Sequence, residues 1–475
     1  MAIGAATVWR VRISGNNANG GGYDATISGA GTDYTQQDSP QLSLTDIACS
    51  ATTTVTSATG GFTSAMIGNA IRITGGGATS GWYFITAVGS STSITVDRTP
   101  GSVSGGTGKV GGGLATFQSV MDSANATGNE CVAGNTIYLQ GSGSSAPTSD
   151  DYTFTSHIIP VNGDTTSGLV RLIGENGMPR IRGNGLIFYQ SVGLLIDNVY
   201  MTTNSNTNGT LGIVGSNSGG AVFILNSVID TAGQSGIVGA VLNQGSGVYN
   251  TEVIGVAAGS PTSSSGCYGI SITGYGVEVV GCRIRHCRDH GIYAGNSSNP
   301  VNAIGNWIYG NVGDGIYDNN GATVGGVIAG NTIDGNGGHG ITFATTASTQ
   351  WNSCYNNIIS NNLGSGKKGI NVAAGTTALN DRAKRLIDYN VLYNNTANYG
   401  SISAGAHDST ANPTYANSGS YDFTVTNTAL KGFAYPTTLG AVTNYRYPGA
   451  HQPDAAGGGG GGGSILRSSI IQGVR

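Results

Sequence analysis

The chain has 475 residues, of which 82 are glycine, 38% are hydrophobic and 9% are charged, and its formal net charge is −4. This charge, with no basic stripe in the sequence, argues against binding to nucleic acid through the phosphates. No apolar run approaches the length that spans a membrane. The six cysteines form no CxxC pair and no zinc-ligand spacing, so we expect no metal or other cofactor.

The N-terminal part of the chain is predicted to form three short regions. Alternating apolar and polar residues from Thr7 to Ile13 predict a strand in an N-terminal region, 1–35. Short apolar runs between Gly and Ser turns predict a small β-module over 36–112. A short amphipathic helix is predicted within 113–128, where it would plug the open end of the next domain. Its apolar face consists of Leu114, Phe117, Val120 and Met121.

A repeat with steps of 24, 25 and 26 residues organises the middle of the chain. Each copy carries two turn residues five positions apart, an isoleucine two positions after the first of them, and a later Gly-Ile pair. A unit this short cannot bury its own apolar face, so copies must stack to form a continuous core. Alternating Ile, Val and Tyr between Gly-Asn turns favours strands, which predicts an all-β solenoid, a parallel β-helix over 129–400.

The repeated turn residues are predicted to form ladders along the solenoid, since stacked asparagine side chains can bond to one another. The ladder residues are Asn306, Asn311, Asn331, Asn336, Asn357 and Asn362. Cys282 and Cys287 take these positions one copy earlier, and we interpret them as buried core fillers rather than a redox pair. Further members are expected before and after this stretch, at Asn198, Asn226, Asn250, Asn390 and Asn395.

Aligning the Gly-Ile pairs stacks one column of polar residues, His290, Asp314, His339 and Lys368. Neighbouring members would lie about 5 Å apart, the separation of stacked strands. Two histidines flanking an aspartate can bind a metal or exchange protons with a substrate. An exposed turn column, in which any polar residue before Gly suffices, explains the pattern equally and is the interpretation we favour. A second polar cluster, Arg283, His286 and Asp289, is interpreted as a solvated face.

Aromatic residues recur near the turns and are candidate glycan contacts, because aromatic faces stack on sugars. The main candidates are Tyr293, Tyr309 and Tyr317, with Tyr268 and Trp307 nearby in the sequence. The alternative is that some of them pack in the core or between chains.

The C-terminal part departs from the repeat. Residues 401–452 carry aromatics and prolines without the period and are predicted to form a cap. Seven glycines within 453–475 then tether an apolar, β-prone peptide. We expect this peptide to add as a strand to an acceptor edge during assembly. Its apolar residues are Ile465, Leu466, Ile470, Ile471 and Val474.

The repeats over 281–395 resemble right-handed parallel β-helix proteins of the pectate-lyase-like superfamily. The opening stretch 8–23 and the stretch 33–43 are similar to bacteriophage and virus-associated β-helix proteins. The module around Ile67 to Gly76 is similar to small β-domains that precede the helix in such proteins. This resemblance implies a virion structural or host-binding role. It also implies a homo-oligomer, since phage proteins of this type are similar in forming trimers.

We therefore expect a virion structural protein, such as a fibre, spike or decoration protein, that contacts copies of itself, other virion proteins and host-surface glycans. The first ten residues lack a charged segment followed by an apolar one, so we expect no signal peptide and synthesis in the host cytoplasm. A glycan-cleaving spike and a bacterial extracellular structural protein are the alternatives. Lyases of the superfamily resemble one another in clustering acidic calcium ligands, and many repeats here carry Asn, Ser or Gly instead, so we expect no enzyme.

Overall fold

The computed structural model describes residues 4, 6–121, 131–154, 163, 168–184, 188, 193–204, 214–215, 221–256, 261–295, 300–319, 325–344, 352–372, 386–430, 433 and 448–450. Its parallel strands stack into long sheets, A, B and C, as a right-handed parallel β-helix, which confirms the predicted fold class. No helix in this described part is long and apolar enough to cross a membrane. The chain divides into two compact units, Met1–Met201 with Ser216–Val222, and Thr202–Gly215 with Phe223–Arg475.

In the first unit, sheet A begins with the N-terminal strand rather than after residue 129. Strand Val8–Val11 pairs in parallel with Thr136–Gln140, so the strand predicted in region 1–35 is part of sheet A. The remaining sheet A strands of this unit are Gly22–Tyr23, antiparallel to the first, Val170–Glu175 and Leu194–Asp197. Sheet B contains Tyr152–Thr153 and Arg180–Gly183, and a further strand, Tyr200–Thr203, crosses the division between the units.

A closed antiparallel barrel lies between the first two parallel strands of the sequence. Closure leaves no unpaired strand edge. A cluster that includes Ile47, Ile71 and Ile85 fills its interior. Short 3-10 helices, Tyr34–Gln36 and Ser64–Met66, accompany it. The barrel strands are Leu42–Ser50, Thr54–Ser57, Ala70–Thr74, Gly81–Ser90, Ser93–Val96 and Ser102–Val110.

The described part of the predicted helix region 113–128 contains a helix at Gln118–Met121, which begins later than expected. Leu114 instead forms a parallel bridge with Val11, so the chain is still extended at that point. All four residues of the predicted apolar face are fully buried. Phe117 packs edge-on against Phe154, with ring centroids 4.9 Å apart. Residues 122–130 of the predicted helix lie outside the described residues.

The second unit carries the regular repeat, and most of its strands are three residues long. Sheet A contains Val222–Leu225, whose first residue belongs to the first unit, and Gly247–Tyr249, Glu278–Val280, Asn302–Ile304, Val327–Ala329, Ser353–Tyr355 and Ile387–Asp388. Sheet B contains Val228–Asp230, Glu252–Ile254, Arg283–Arg285, Trp307–Tyr309, Thr332–Asp334, Ile358–Ser360 and Val391–Tyr393. Sheet C contains Val214–Gly215, Ala240–Leu242, Ile270–Ile272, Ile292–Ala294, Ile316–Asp318, Ile341–Phe343, Lys368–Val372 and Ala397–Gly400.

The repeated isoleucines align in the core of this unit. Ile308 pairs with Ile333 across adjacent strands of sheet B, and Ile333 pairs with Ile359. All three are fully buried. Each copy therefore contributes an isoleucine at the same position of the repeat. These side chains stack into the continuous core that a short repeat requires.

Stacked amides flank sheet B on both sides. In the first ladder, the Nδ2 atoms of Asn306, Asn331 and Asn357 donate to the Oδ1 of the next asparagine, each at 2.9 Å, and the last acceptor is Asn390. The same oxygens accept the backbone N–H of the preceding asparagine, as in Asn306 to Asn331 at 2.9 Å. The second amide hydrogen of Asn331 goes to the carbonyl oxygen of Ala303, 2.8 Å away.

The second ladder repeats this arrangement on the other side of sheet B. Asn311 donates to Asn336 at 2.9 Å, Asn336 to Asn362 at 3.2 Å, and Asn362 to Asn395 at 2.9 Å. All but Asn395 are buried. A buried amide without partners would destabilise the fold, and here both ends of each amide are engaged.

The ends of the ladders carry different residues because their hydrogen-bonding needs differ. At the start, the backbone N–H groups of Cys282 and Cys287 donate to Asn306 at 2.8 Å and to Asn311 at 2.9 Å. Burial raises the pKa of both cysteine thiols to about 12, which keeps them protonated, as core fillers would be. At the far end of the first ladder, Asp408 accepts the backbone N–H of Asn390 at 2.8 Å. An ionised carboxylate only accepts, so Asp408 can end the ladder without needing a further acceptor.

The three earlier asparagines do not belong to these ladders. Asn198, Asn226 and Asn250 have positive φ angles of 57°, 48° and 47° and take the left-handed turn position that Gly305 and Gly330 occupy later. The inward positions one residue on hold Val199, Ser227 and Thr251. Asn250 donates to Asn226 at 2.7 Å, and these two form an exposed pair, whereas Asn198 donates to the carbonyl oxygens of Gly174 and Gly177. The expected register was wrong by one residue, since Asn satisfies both positions.

The described part of the predicted cap is a hairpin that packs on the same unit. Its strands are Tyr415–Asn417 and Asp422–Val425, with 3-10 helices Ser418–Ser420 and Thr428–Leu430. Val425 and Leu430 join a buried cluster with Ile358 and Val391 of sheet B. Residues 451–475, which include the predicted assembly peptide, lie outside the described residues.

Replacing Asn331 with alanine should lower the free energy of unfolding by about 1–3 kcal/mol, because the N–H and amide of Asn306 lose their acceptor in a buried site. Chemical denaturation measures this change. The matched control is Asn394→Gly, which removes an exposed hydrogen bond. Glycine tolerates the φ of 50° at this position, so the backbone is not strained. Equal effects of the two substitutions would show that the buried ladder contributes no special stability.

Candidate functional site

The structure brings the predicted polar column together at the turn before sheet C. The backbone N–H of Asp314 donates to Nδ1 of His290 at 2.8 Å, and that of His339 donates to Oδ1 of Asp314 at 2.7 Å. The N–H of Lys368 then donates to Nδ1 of His339 at 2.8 Å. Each side chain therefore serves as an acceptor for the next copy, and the column is a third ladder.

The glycine after each column residue is required by close packing. A Cβ atom added at Gly315 would lie 2.6 Å from Cγ2 of Ile333, and one at Gly340 would lie 2.4 Å from Cγ2 of Ile359. The turn thus runs directly over the buried isoleucines of sheet B. This contact fixes the height at which the preceding polar residue projects, and so aligns the column from one copy to the next.

The hydrogen bonds fix the protonation of both column histidines. An Nδ1 that accepts an N–H must carry a lone pair, so the proton of the neutral ring lies on Nε2. Burial lowers the pKa of His290 and of His339, with Asp314 opposing the shift in each case. Protonation would place a hydrogen on Nδ1 against the backbone donor and break the ladder. Both rings are thus held in the neutral form.

Several polar atoms of the column are buried or engaged with neighbouring residues. Asp314 is 5% exposed, and its Oδ1 is engaged with His339. Nε2 of His290 lies 3.5 Å from Oδ1 of Asp289. A general base needs a free lone pair within reach of the substrate, and the Nδ1 lone pairs are already occupied. Within the described ranges, no group of three or more His, Cys, Asp or Glu could hold a metal ion.

The candidate glycan contacts fall into two groups. Tyr268 stacks on Tyr293 with ring centroids 3.9 Å apart, and Tyr293 stacks on Tyr317 at 5.3 Å. His290 also stacks on Tyr317 at 4.8 Å. Faces stacked on one another are not available to a sugar ring, so this cluster extends the column and stabilises it.

Tyr309 lies on sheet B and is 3% exposed, because the C-terminal hairpin covers it. Its ring stacks on Tyr421 at 4.8 Å and contacts Phe423 at 5.0 Å. Tyr309 therefore lies under the hairpin on sheet B, apart from Tyr293 and Tyr317 on sheet C. The sequence could not show this, since the hairpin lies outside the repeat and more than 100 residues away along the chain.

The second polar cluster is also different from the expected solvated face. His286 is 8% exposed, and its Nδ1 lies 3.2 Å from the carbonyl oxygen of Val256. Since a carbonyl only accepts, Nδ1 donates and Nε2 accepts from the Tyr421 hydroxyl at 3.3 Å. Asp289 joins His290 instead, and Arg283 is exposed beside Trp307, with its guanidinium carbon 5.9 Å from the ring centroid. Sequence reasoning missed that His286 and Arg283 meet the hairpin.

Stability should decrease as the pH falls below about 6.5, the ordinary pKa of histidine. In the unfolded chain His290 and His339 take up protons there, whereas their pKa values in the folded chain are lower. Denaturation curves of wild type and of His339→Asn at pH 8 and pH 5 measure the effect. Asparagine offers an oxygen near the Nδ1 position but does not titrate, so the variant should lose less stability at pH 5. An equal loss in both proteins would contradict this role of His339.

No protein-family model matches the sequence, and no curated protein matches it significantly. Solved structures with a similar fold include the pectate lyase Pel9A, with 13% identity, a TM-score of 0.45 and coverage of 68% of this chain and 89% of that one. The A-module of the Azotobacter vinelandii mannuronan C-5 epimerase AlgE4 has 13% identity, a TM-score of 0.33 and coverage of 62% and 95%. The Dettilon tailspike protein has 16% identity, a TM-score of 0.26 and coverage of 58% and 63%. At 13–16% identity these similarities concern the fold alone.

Proposed function

We propose that this chain is a non-catalytic structural β-helix protein of a phage-type particle. The observation that carries the proposal is the use of the column side chains as backbone acceptors. His290, Asp314 and His339 have the residue types of an active site, yet each uses an atom that catalysis would need to hold the next copy in place. Their arrangement stabilises the stacking of the copies and does not serve a substrate.

The internal bonding of the second unit supports a structural role. Two buried amide ladders, the exposed asparagine pair and the His-Asp column all run parallel to the stacking of the strands. A particle must persist outside the cell without repair, so slow unfolding matters more for it than a high equilibrium stability. The phage-type assignment is supported by the resemblance of the stretches 8–23 and 33–43 and of the barrel module to virus-associated β-helix proteins.

Assembly with further copies of the chain, as a trimer, and with other virion proteins is part of the same proposal. The peptide 464–475 carries five apolar residues and follows seven glycines. A flexible tether raises the local concentration of such a peptide around its acceptor. Strand addition to an acceptor edge would then pair its main chain and cover its apolar side chains.

Incubation of the purified protein with a panel of capsular and pectic polysaccharides should release neither reducing ends nor unsaturated ends. Product assays at several pH values measure this, with an active lyase and an active hydrolase as positive controls. Cleavage by the wild type that disappears in Asp314→Ala, in a variant that remains folded by circular dichroism, would contradict the proposal. It would favour a glycan-cleaving spike that uses the His290, Asp314 and His339 column.

Deleting residues 464–475 should leave the β-helix folded and prevent incorporation of the chain into particles. Mass spectrometry of purified particles measures incorporation, and cryo-electron microscopy locates the protein on them. A second variant keeps the length of the chain and replaces Ile465, Leu466, Ile470 and Ile471 with serine. It should also prevent incorporation, because the apolar side chains of the peptide are lost. Normal incorporation of the truncated chain would refute the assembly role of the peptide, and absence of the wild type from particles would refute the virion function.

A further inference from the structure

Two tyrosine hydroxyls hold the C-terminal hairpin on sheet B. The Tyr421 hydroxyl donates to Nε2 of His286 at 3.3 Å. The Tyr415 hydroxyl lies 2.8 Å from Oγ of Ser360, which donates to Oδ1 of Asp334 at 2.6 Å. Each of these polar contacts therefore ends on a base that can take up a proton, His286 in one case and Asp334 in the other.

The hairpin depends on such contacts for its position. Its strands, Tyr415–Asn417 and Asp422–Val425, pair with no third strand among the described residues. A two-stranded hairpin is marginally stable by itself in water. The rings of Tyr421 and Phe423 pack on Tyr309, with centroids 4.8 Å and 5.0 Å from its ring. The loss of one anchor therefore shifts the balance between a closed and a released hairpin.

Backbone strain at Tyr421 also favours release. This residue has a φ of 61° and a ψ of 24°, the left-handed conformation that bulky residues rarely adopt. Such strain persists only where the surrounding structure holds it. In the closed hairpin, the contacts of the Tyr421 side chain with His286 and Tyr309 hold it. A released hairpin lets Tyr421 return to an ordinary backbone conformation.

The His286 ring is enclosed on the side of the β-helix as well as on the side of the hairpin. It is 8% exposed and lies against the turn at Gly310, where an added Cβ atom would be 2.6 Å from its Cδ2. Its Nδ1 donates to the carbonyl oxygen of Val256 at 3.2 Å. Because Nε2 accepts from Tyr421, both nitrogens of the neutral ring are engaged.

The charged and titratable groups that face this ring disfavour a second proton on it. On the β-helix side, a guanidinium nitrogen of Arg285 lies 3.5 Å from Nδ1, and the Tyr309 ring contacts the imidazole edge-on at 5.9 Å. Glu252 pairs with Arg285 at 2.8 Å. On the hairpin side, the imidazole meets the Tyr421 ring at 5.4 Å. Burial lowers the pKa of His286, and the charge of Arg285 lowers it further.

Acid therefore favours the released hairpin at the His286 anchor. A histidine whose pKa is lower in the closed form than in the released form destabilises the closed form as the pH falls below about 6.5, its ordinary pKa. The Asp334 anchor has the opposite sign. Burial raises the pKa of Asp334, so its protonation favours the closed form. His286 is thus the anchor that couples acid to release.

We propose that His286 is an acid-sensitive latch, and that uptake of a proton by its ring releases the C-terminal hairpin from sheet B while the β-helix stays folded. Release uncovers Tyr309, which is 3% exposed under the closed hairpin. The latch goes beyond the proposed structural function and does not depend on it, since it operates in the isolated chain.

Hydrogen exchange of the full chain at pH 8 and pH 5, corrected for the intrinsic exchange rate at each pH, tests the proposal. Protection factors of the hairpin amides, 415–426, should fall between about threefold and about thirtyfold at pH 5. The upper limit follows from a histidine pKa of about 6.5 in the released hairpin. Amides of Ile316–Asp318 on sheet C should stay more protected than the hairpin at both pH values, because the β-helix remains folded.

Two variants separate the latch from the other histidines. His286→Asn does not titrate and suits the left-handed φ of 53° at this position, so the protection of its hairpin should change less than about twofold between the two pH values. His339→Asn is the matched control, because it removes a titrating histidine at sheet C, and it should keep the full change of the wild type. An unchanged hairpin in the wild type, an equal fall in His286→Asn, or equal loss of protection in the hairpin and in Ile316–Asp318 would overturn the proposal.

A nuclear magnetic resonance titration of the wild type, with carbon-13 in its histidines, gives a second readout that needs no substitution at the latch. The His286 signal, assigned by its absence from His286→Asn, should titrate below about pH 6.5 and over the same range in which the hairpin opens. A His286 ring that titrates at or above this value would also overturn the proposal.

Discussion

The hydrogen bond from one asparagine amide to the next is the interaction on which the regular part of this structure depends. Each Oδ1 accepts from both the backbone and the side chain of the preceding copy, as Asn331 does from Asn306. A turn between short strands would otherwise leave buried N–H groups unpaired, because no water reaches them. The amide takes the place of that water and carries the bonding from copy to copy. Strands of only three residues suffice because the turns are bonded as well.

The same requirement explains why a structural column resembles an active site. A turn N–H needs an acceptor, and Asn, Asp and neutral His all provide one at a similar distance from the backbone. At sheet C the chain uses His290, Asp314 and His339 for this purpose, and the backbone donors in turn hold the histidines neutral. Residue type therefore says little about chemistry here until the partner of each polar atom is known.

The sequence predicted those features that repeat and missed those that depend on distant contacts. The period and the positions of Asn306, Asn331 and Asn357 predicted the fold class and how successive copies align in the stack. They could do so because one residue type recurs where one hydrogen bond recurs. It could not distinguish Asn250, in the left-handed turn position, from Asn306 one position later, because asparagine suits both. The pairing of Val8–Val11 with Thr136–Gln140 and the stacking of Tyr421 on Tyr309 join segments more than 100 residues apart, and no local pattern encodes them.

Amide hydrogen exchange tests the central role of the ladders most directly. The backbone N–H groups of Cys282, Asn306, Asn331 and Asn357 lie in turns, and each donates to the Oδ1 of an asparagine in the next copy. If the ladders hold the copies together, these turn amides exchange as slowly as the amides of the sheet B strands beside them. Exchange at the rate of exposed turns, with the strands still protected, would show that the strands stack without the ladders and would contradict the account.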